Sequence, residues 1–238
     1  MKSNHIKNQS DLFQMLDHLF NDPKEYWNTV YQERPKYMPF LTDSPDENLV
    51  DYFINNTVQP GRVLELGCGE GRNAIYMASK GCQVDAIDLS TEAIKLAVDH
   101  ARIKDVEINF QCGNVFDLQI SKQTYDLVYD SGLLHHLLPH RRVQYIELLN
   151  DVLKPGGCFA LICFSSGFTE NGGAEETSDY DVYKERRMLG GMAFSQEKLQ
   201  YLLSDYFELI EIRHMKDCEE SNELFGVPFM WASIWRKK

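Results

Sequence analysis

The chain has 238 residues and carries 24 Lys and Arg against 36 Asp and Glu, a formal net charge of −12. That length buries a full core and fits one α/β domain with a small appendage. The acidic balance argues against a nucleic-acid partner, whose phosphates are held by clustered cations. Residues 1–10 are polar with no apolar core of signal-peptide length, no run approaches the length of a membrane span, and the six cysteines form no C-x-x-C pair. A cytoplasmic protein with reduced thiols, no membrane contact and no zinc ribbon is therefore expected.

Residues 10–22 carry apolar groups at 12, 13, 15, 16, 19 and 20, a helical period with Ser10 or Asp11 as its cap. Tyr26-Trp27-Asn28-Thr29-Val30-Tyr31 and Pro35 to Leu41 follow, dense in aromatics before any strand has begun. They are either a staple over a sheet edge or a lid. A helix is expected from Asp46 to Asn56, then a turn at Gln59-Pro60-Gly61.

Val63-Leu64-Glu65-Leu66 is an apolar strand that stops at Gly67, Gly69 and Gly71 before a helical pattern opens. Alternating glycines let a backbone turn with positive φ and approach a ligand without a Cβ between them. Strand, glycine loop and helix N-terminus form the nucleotide-binding entry of a doubly wound sheet. The dinucleotide spacing is not met, because its third glycine would fall on Arg72, and no Gly-Lys-Ser/Thr makes a P-loop. A helix over 73–80 ends at Gly81, and a second strand, Gln83 to Ile87, leads to Asp88, 23 residues after Glu65. A carboxylate there can accept hydrogen bonds from vicinal ribose hydroxyls.

Thr91 to Lys104 reads as a helix, Ile108 to Gln111 as a third strand, and Tyr125 to Asp130 as a fourth. His135, His136 and His140 follow that strand, with no Glu to complete a His-Glu-x-x-His metal motif, so no metal is expected. A helix from Pro139 to Leu153 ends at Lys154-Pro155-Gly156-Gly157, before a fifth strand, Cys158 to Phe164. Residues 165–193 break the rhythm with a long stretch rich in Gly, Ser, Glu and Asp, which in a compact domain is usually functional or disordered. Ser195 caps a helix through Leu203, and strands are expected at Phe207 to His214 and Phe229 to Trp235.

Glu65 with Gly67-x-Gly69-x-Gly71, Asp88-Leu89-Ser90, Cys112-Gly113-Asn114-Val115, Leu134-His135-His136-Leu137 and the Leu-Lys-Pro-Gly-Gly turn resemble the class I S-adenosylmethionine-dependent methyltransferases. Trp27-x-x-x-Tyr31 with Pro39-Phe40 is similar to the N-terminal segment of the small-molecule branch, thiopurine-methyltransferase-like and tellurite-resistance-like. There many relatives have tryptophan in place of Phe40. The resemblance covers residues 27–164. It implies a Rossmann-like, mostly parallel seven-stranded sheet with helices on both faces and the last strand antiparallel. It also implies a helical lid over 1–58, a methyltransferase domain over 59–238, and a substrate-covering loop at about 165–193.

On this resemblance the cofactor is S-adenosylmethionine, with S-adenosylhomocysteine as product. It would be held by Glu65, Gly67, Cys68, Gly69, Asp88, Leu89, Asn114, Val115, Asp130 and Tyr31. His135 or His136 would serve as base or positioning group, and Trp27, Phe40, Tyr180 and Arg186 would face the substrate. Asp130-Ser-Gly-Leu replaces the Pro-Pro-aromatic signature that holds a flipped base in the nucleic-acid enzymes. The expected partner is a small-molecule acceptor, and the chain a monomer or homodimer. Two rivals stand beside this reading. Tyr180-x-x-x-Lys184 with Ser166 spells the signature of a short-chain NAD(P)-dependent oxidoreductase, although Tyr76-x-x-x-Lys80 spells it too. A catalytically silent S-adenosylmethionine-binding protein is the other, since fold does not fix function.

Overall fold

The computed structural model describes residues 5–117, 120–169, 173–188, 190–218 and 223–238. Three helices come first: α1 (Gln9–Asp17), α2 (Pro23–Glu33) and α3 (Glu47–Ile54). A βα alternation follows through β1 (Arg62–Leu66), α4 (Arg72–Ser79), β2 (Gln83–Asp88), α5 (Thr91–Ile103), β3 (Asn109–Cys112), β4 (Tyr125–Ser131), α6 (Pro139–Val152) and β5 (Leu153–Phe164). The chain closes with α7 (Asp179–Glu185), α8 (Gln196–Leu203), β6 (Phe207–His214) and β7 (Met230–Lys237). Among the described residues the seven strands form one sheet in the order β3-β2-β1-β4-β5-β7-β6. β1 to β5 pair in parallel, and β7 inserts antiparallel between β5 and β6, as expected.

This order reverses at β1, which has β2 on one side and β4 on the other. Leu66 is in register with both Ile87 and Asp130, so three strands end together at that point. A crevice opens where such a reversal leaves neighbouring loops diverging.

Side-chain alternation builds a layer on each face. Leu64, Leu66, Val128, Phe159 and Leu161 pack with Tyr145 and Leu149 of α6 and Leu199 and Leu203 of α8. Val63, Val84, Leu127, Ala160 and Ile162 pack with Leu49 and Tyr52 of α3 and Ala74 and Met77 of α4. Glu65 falls on this second face, where a strand of apolar neighbours would ordinarily take another aliphatic residue.

Three local expectations need correction. The cap of α1 is Asn8, not Ser10 or Asp11: its Oδ1 accepts from Asp11 N at 2.9 Å, and Asp11 Oδ2 accepts in return from Asn8 N at 3.2 Å. That reciprocal box satisfies two donors that would otherwise be orphaned. Second, the Pro155-Gly156-Gly157 stretch is an irregularity inside β5 rather than a turn before it. Leu153 already pairs with Tyr125, and Cys158 with Leu127. Third, the 165–193 segment contains α7, capped by Ser178, whose Oγ accepts from Asp181 N. Residues 170–172 and 189 of that segment lie outside the described residues. No described helix is long and apolar enough to cross a membrane.

Candidate active site

The floor of the crevice is the β1–α4 loop. Gly67, Gly69 and Gly71 have φ of 71°, 53° and 82°, a region open to glycine and costly for other residues. Space also requires them. A Cβ on Gly67 would meet Leu133 Cβ at 3.0 Å, and one on Gly69 would lie 2.6 Å from the Tyr31 hydroxyl. Gly67 N and Cys68 N both donate to Ile87 O, which ties the loop to the end of β2.

Asp88 stands at that end, buried yet lining the crevice. Its Oδ2 accepts from Gly69 N at 2.9 Å and its Oδ1 from Ser90 N at 2.8 Å, while its backbone oxygen accepts from Gly113 N at 2.9 Å. A carboxylate has about four acceptor positions. Two backbone bonds orient it and leave acceptor capacity toward the crevice. Burial raises its pKa, and the hydrogen bonds from Ser90 and Gly69 oppose that rise. Leu89 lies beside it, and Asn114 and Val115, from the loop after β3, complete this wall. Asn114 Oδ1 accepts from Phe116 N at 3.1 Å, which makes it a turn residue as well as a wall residue.

Glu65, Cys68 and Gly69, expected at the cofactor, do not line the crevice, and Glu65 and Cys68 are buried. Burial pushes the Glu65 carboxyl up to about 8 against the pull of Arg72, and its Oε2 is buried with no hydrogen-bond partner. The same wall holds a polar knot that the sequence reading missed. Asp46, fully buried, accepts from Tyr129 OH at 2.7 Å and Asn73 Nδ2 at 3.0 Å and pairs with Arg72. Arg72 in turn reaches Ser44 O and Ser131 Oγ, at 3.0 and 3.2 Å, and spans the glycine loop and the loop after β4.

Asp130, also expected at the cofactor, has a different role. It is fully buried and accepts from Leu133 N at 2.6 Å, Leu134 N at 3.0 Å and Tyr145 OH at 2.6 Å. Those bonds hold the loop after β4 in shape, and the residue does not line the crevice. Burial raises its pKa to about 6 despite the hydrogen bonds from Tyr145, Leu133 and Leu134.

The shaped loop presents a short 3-10 turn, Leu134–His136. His135 is buried, and its Nδ1 accepts from Phe164 N at 3.3 Å. Burial holds its pKa well below the usual value, so the ring is neutral with its proton on Nε2. His135 is therefore a donor toward its surroundings rather than a base. His136 is also neutral, its pKa lowered by burial to about 4, and its ring lies 4.8 Å from that of Trp27 in an edge-on contact.

The N-terminal helices roof the crevice. Trp27 and Tyr31 of α2 pack together with ring centroids 6.3 Å apart, and Trp27 is 6.3 Å from Phe40. Burial raises the Tyr31 phenol well above its usual value, with Asp88 adding to the effect, so it is a neutral donor over Gly69. Arg34 at the end of α2 pairs with Glu70 of the glycine loop, and Asn28 Oδ1 accepts from Ser90 Oγ at 2.7 Å. The cavity measures about 760 Å³, within the range of small-molecule sites, and opens to solvent on one side. Phe164, Phe225 and Phe229 line its far side. The last two come from the β6–β7 connection, where only an aromatic pair flanking Gly226-Val227-Pro228 could have signalled them.

Two expected residues are not brought together with the rest. Tyr180 is 72% exposed on α7, Arg186 follows that helix, and neither lines the cavity. The Tyr180–Lys184 pair therefore lies away from it, and Tyr76 and Lys80 face each other on and beside α4 with Lys80 Nζ 5.0 Å from the Tyr76 ring. Outside the cavity Asp43, Glu70 and His100 gather three possible metal-ligand atoms within 4.8 Å. Arg34 already balances Glu70, and Asp43 is exposed.

Residues 63–157 match the family described as Methyltransferase domain. An uncharacterized methyltransferase of Synechocystis sp. is 35% identical over 109 residues, 45% of this chain and 50% of that protein. The ubiquinone biosynthesis O-methyltransferase of Coxiella burnetii is 32% identical over 134 residues, 56% of this chain and 54% of that protein. The chain spans about half the length of the curated relatives it matches. Among solved structures, Burkholderia thailandensis 1,6-didemethyltoxoflavin-N1-methyltransferase, with 1,6-didemethyltoxoflavin and S-adenosylhomocysteine bound, superposes at a TM-score of 0.68. The superposition covers 99% of this chain and 93% of that one at 17% identity, a likeness of fold.

Proposed function

We infer that this chain, whose residues 63–157 belong to the methyltransferase domain family, is an S-adenosylmethionine-dependent methyltransferase acting on a small molecule. Asp88 carries the reading: a buried carboxylate beside a glycine loop, oriented by two backbone N–H groups and open to the cavity. That arrangement suits a ribose diol. Leu89 and Val115 offer apolar surface to a purine, Asn114 an amide at its edge, and Gly67 a close backbone approach. The Coxiella relative, named for O-methylation, supports methyl transfer by analogy, and the Burkholderia structure, solved with S-adenosylhomocysteine, supports the cofactor.

S-adenosylmethionine, held by Asp88, Leu89, Asn114, Val115 and Gly67, would supply an electrophilic sulfonium methyl for an acceptor lone pair. The protein's task is then to place the acceptor. Holding two reactants in line is worth about 7–11 kcal/mol, whereas a general base adds roughly 10² to 10⁴-fold. Positioning by Trp27, His135 and Phe164 therefore outweighs base strength. A proton on the attacking atom becomes strongly acidic as the methyl arrives, so a neutral His136 with a pKa near 4 suffices to receive it. Helices α1 and α2 act as the lid over this site, excluding water while the reactants are held.

Calorimetric titration with S-adenosylhomocysteine tests the reading. Asp88→Ala removes charge-assisted hydrogen bonds worth roughly 1.5–3 kcal/mol, so affinity should fall roughly tenfold to somewhat over a hundredfold while the protein stays folded. Equal affinity in the folded variant and the native protein would remove Asp88 from the site.

A further inference from the structure

Resting on the methyltransferase reading, we propose that the acceptor is a neutral, planar aromatic molecule, and not an ammonium ion, a carboxylate or a metalloid oxyanion. The argument begins with the charges at the cavity. Among the described residues, the carboxylates and guanidinium groups lining it are Asp17, Asp22, Arg72, Asp88 and Arg141, and each already has a partner. Arg72 is committed to Asp46, Ser44 O and Ser131 Oγ. Arg141 bonds Asp17 and, at 2.6 Å, Gln144 Oε1. Asp17 also accepts from His140 at 2.9 Å, and Asp22 caps α2 through Lys24 N. Asp88 is oriented by Gly69 and Ser90 on the cofactor side.

An acidic acceptor would thus meet no unpaired guanidinium, and outside the cofactor wall the spare carboxylate capacity belongs to the exposed Asp22. Burying a charge without a partner is costly. Aromatic walls attract cations in general, but here a cation would sit beside a sulfonium of the same sign, and a protonated amine has no lone pair to give.

Aromatic surface is what remains, and it comes from two separate parts of the chain. Trp27 and Phe40 descend from the N-terminal segment. Phe164 and Phe229 stack with centroids 6.1 Å apart and planes 25° from parallel, and Phe225 lies under the Arg72 guanidinium at 4.4 Å. A flat ring laid against such faces buries apolar area and gains ring–ring contact beyond that burial. His136, neutral and edge-on to Trp27, sits where the ring's hydroxyl, thiol or N–H would be met by an uncharged acceptor.

The test is a set of titrations into the intact protein saturated with S-adenosylhomocysteine, using naphthol, naphthoate, naphthylmethylammonium and tellurite as probes. Naphthol should bind roughly tenfold or more tightly than any charged probe. Trp27→Ala should weaken naphthol by a similar factor, and Trp27→Phe should restore most of it. Tighter binding of any charged probe, or a naphthol affinity indifferent to Trp27, overturns the proposal and leaves the methyltransferase reading standing. Failure of the native protein to bind S-adenosylhomocysteine at the outset overturns both.

Discussion

Asp130 and His136 show how residues with similar sequence settings take up different work. Asp130 looks like a ligand-facing acid at a strand end, but its acceptor capacity is spent on Leu133, Leu134 and Tyr145. Asp130→Ala strands three donors, and a buried unsatisfied donor costs roughly 1–3 kcal/mol. Tm should fall by roughly 6 °C or more, and turnover should fall with it as the histidine turn loosens; unchanged Tm in a thermal scan would contradict this role. His136 is tested through pH. An unfolded histidine binds its proton near 6.5 and the folded one only near 4. The unfolded state therefore takes up more protons between those values. Stability from this group is complete above 6.5 and is lost as pH falls toward 4, by about 3 kcal/mol at most. His136→Asn removes that loss. Its Tm should fall less steeply than the native protein's from pH 6.5 to 4, and parallel curves would place the proton uptake elsewhere. Asp130 and Glu65, whose raised pKa values act in the opposite direction, are common to both proteins and cancel in the comparison.

At the level of elements, the N-terminal helices pose a choice between packing and gating. Val30 and Tyr31 are buried, but Trp27 faces the cavity and touches His136. Trp27→Ala should leave Tm within roughly 2 °C, since little core is lost, while turnover drops by roughly tenfold or more. Leu49→Ala in α3, fully buried, is the contrasting case and should cost about 2–5 kcal/mol. A Trp27 variant that melts early yet turns over normally while folded would make the segment a staple. Local signals revealed most elements: Ser195 caps the helix expected of it and Gly67-x-Gly69-x-Gly71 sits at the expected loop, while the cap of α5 is Ser90, which the sequence reading did not name. α7 was missed although Ser178 with Asp179 and Asp181 in its first turn is a cap signature, because glycine and acid content dominated that stretch. The Asp46 knot could not be read at all. Its partners Asn73 and Tyr129 are 27 and 83 residues away, and nothing local marks Asp46 as other than a helix cap.

For the whole molecule, the reversal of strand order at β1 sets where the cavity forms. It brings the glycine loop, Asp88 and the histidine turn to one edge of the sheet, and the antiparallel β7 carries the β6–β7 connection back to wall the same cavity. A nicotinamide dinucleotide would also seek the end of a doubly wound sheet, so architecture alone does not choose between cofactors. An acid at the end of β2 suits the ribose of either cofactor, so the choice rests on the glycine spacing and on Tyr180 and Lys184 lying away from the cavity. The most direct measurement is a paired calorimetric titration of the intact native protein with S-adenosylhomocysteine and with NADH. Saturable binding of S-adenosylhomocysteine at one site per chain, with no heat from NADH, is the predicted result, and saturable NADH binding without S-adenosylhomocysteine binding would contradict it.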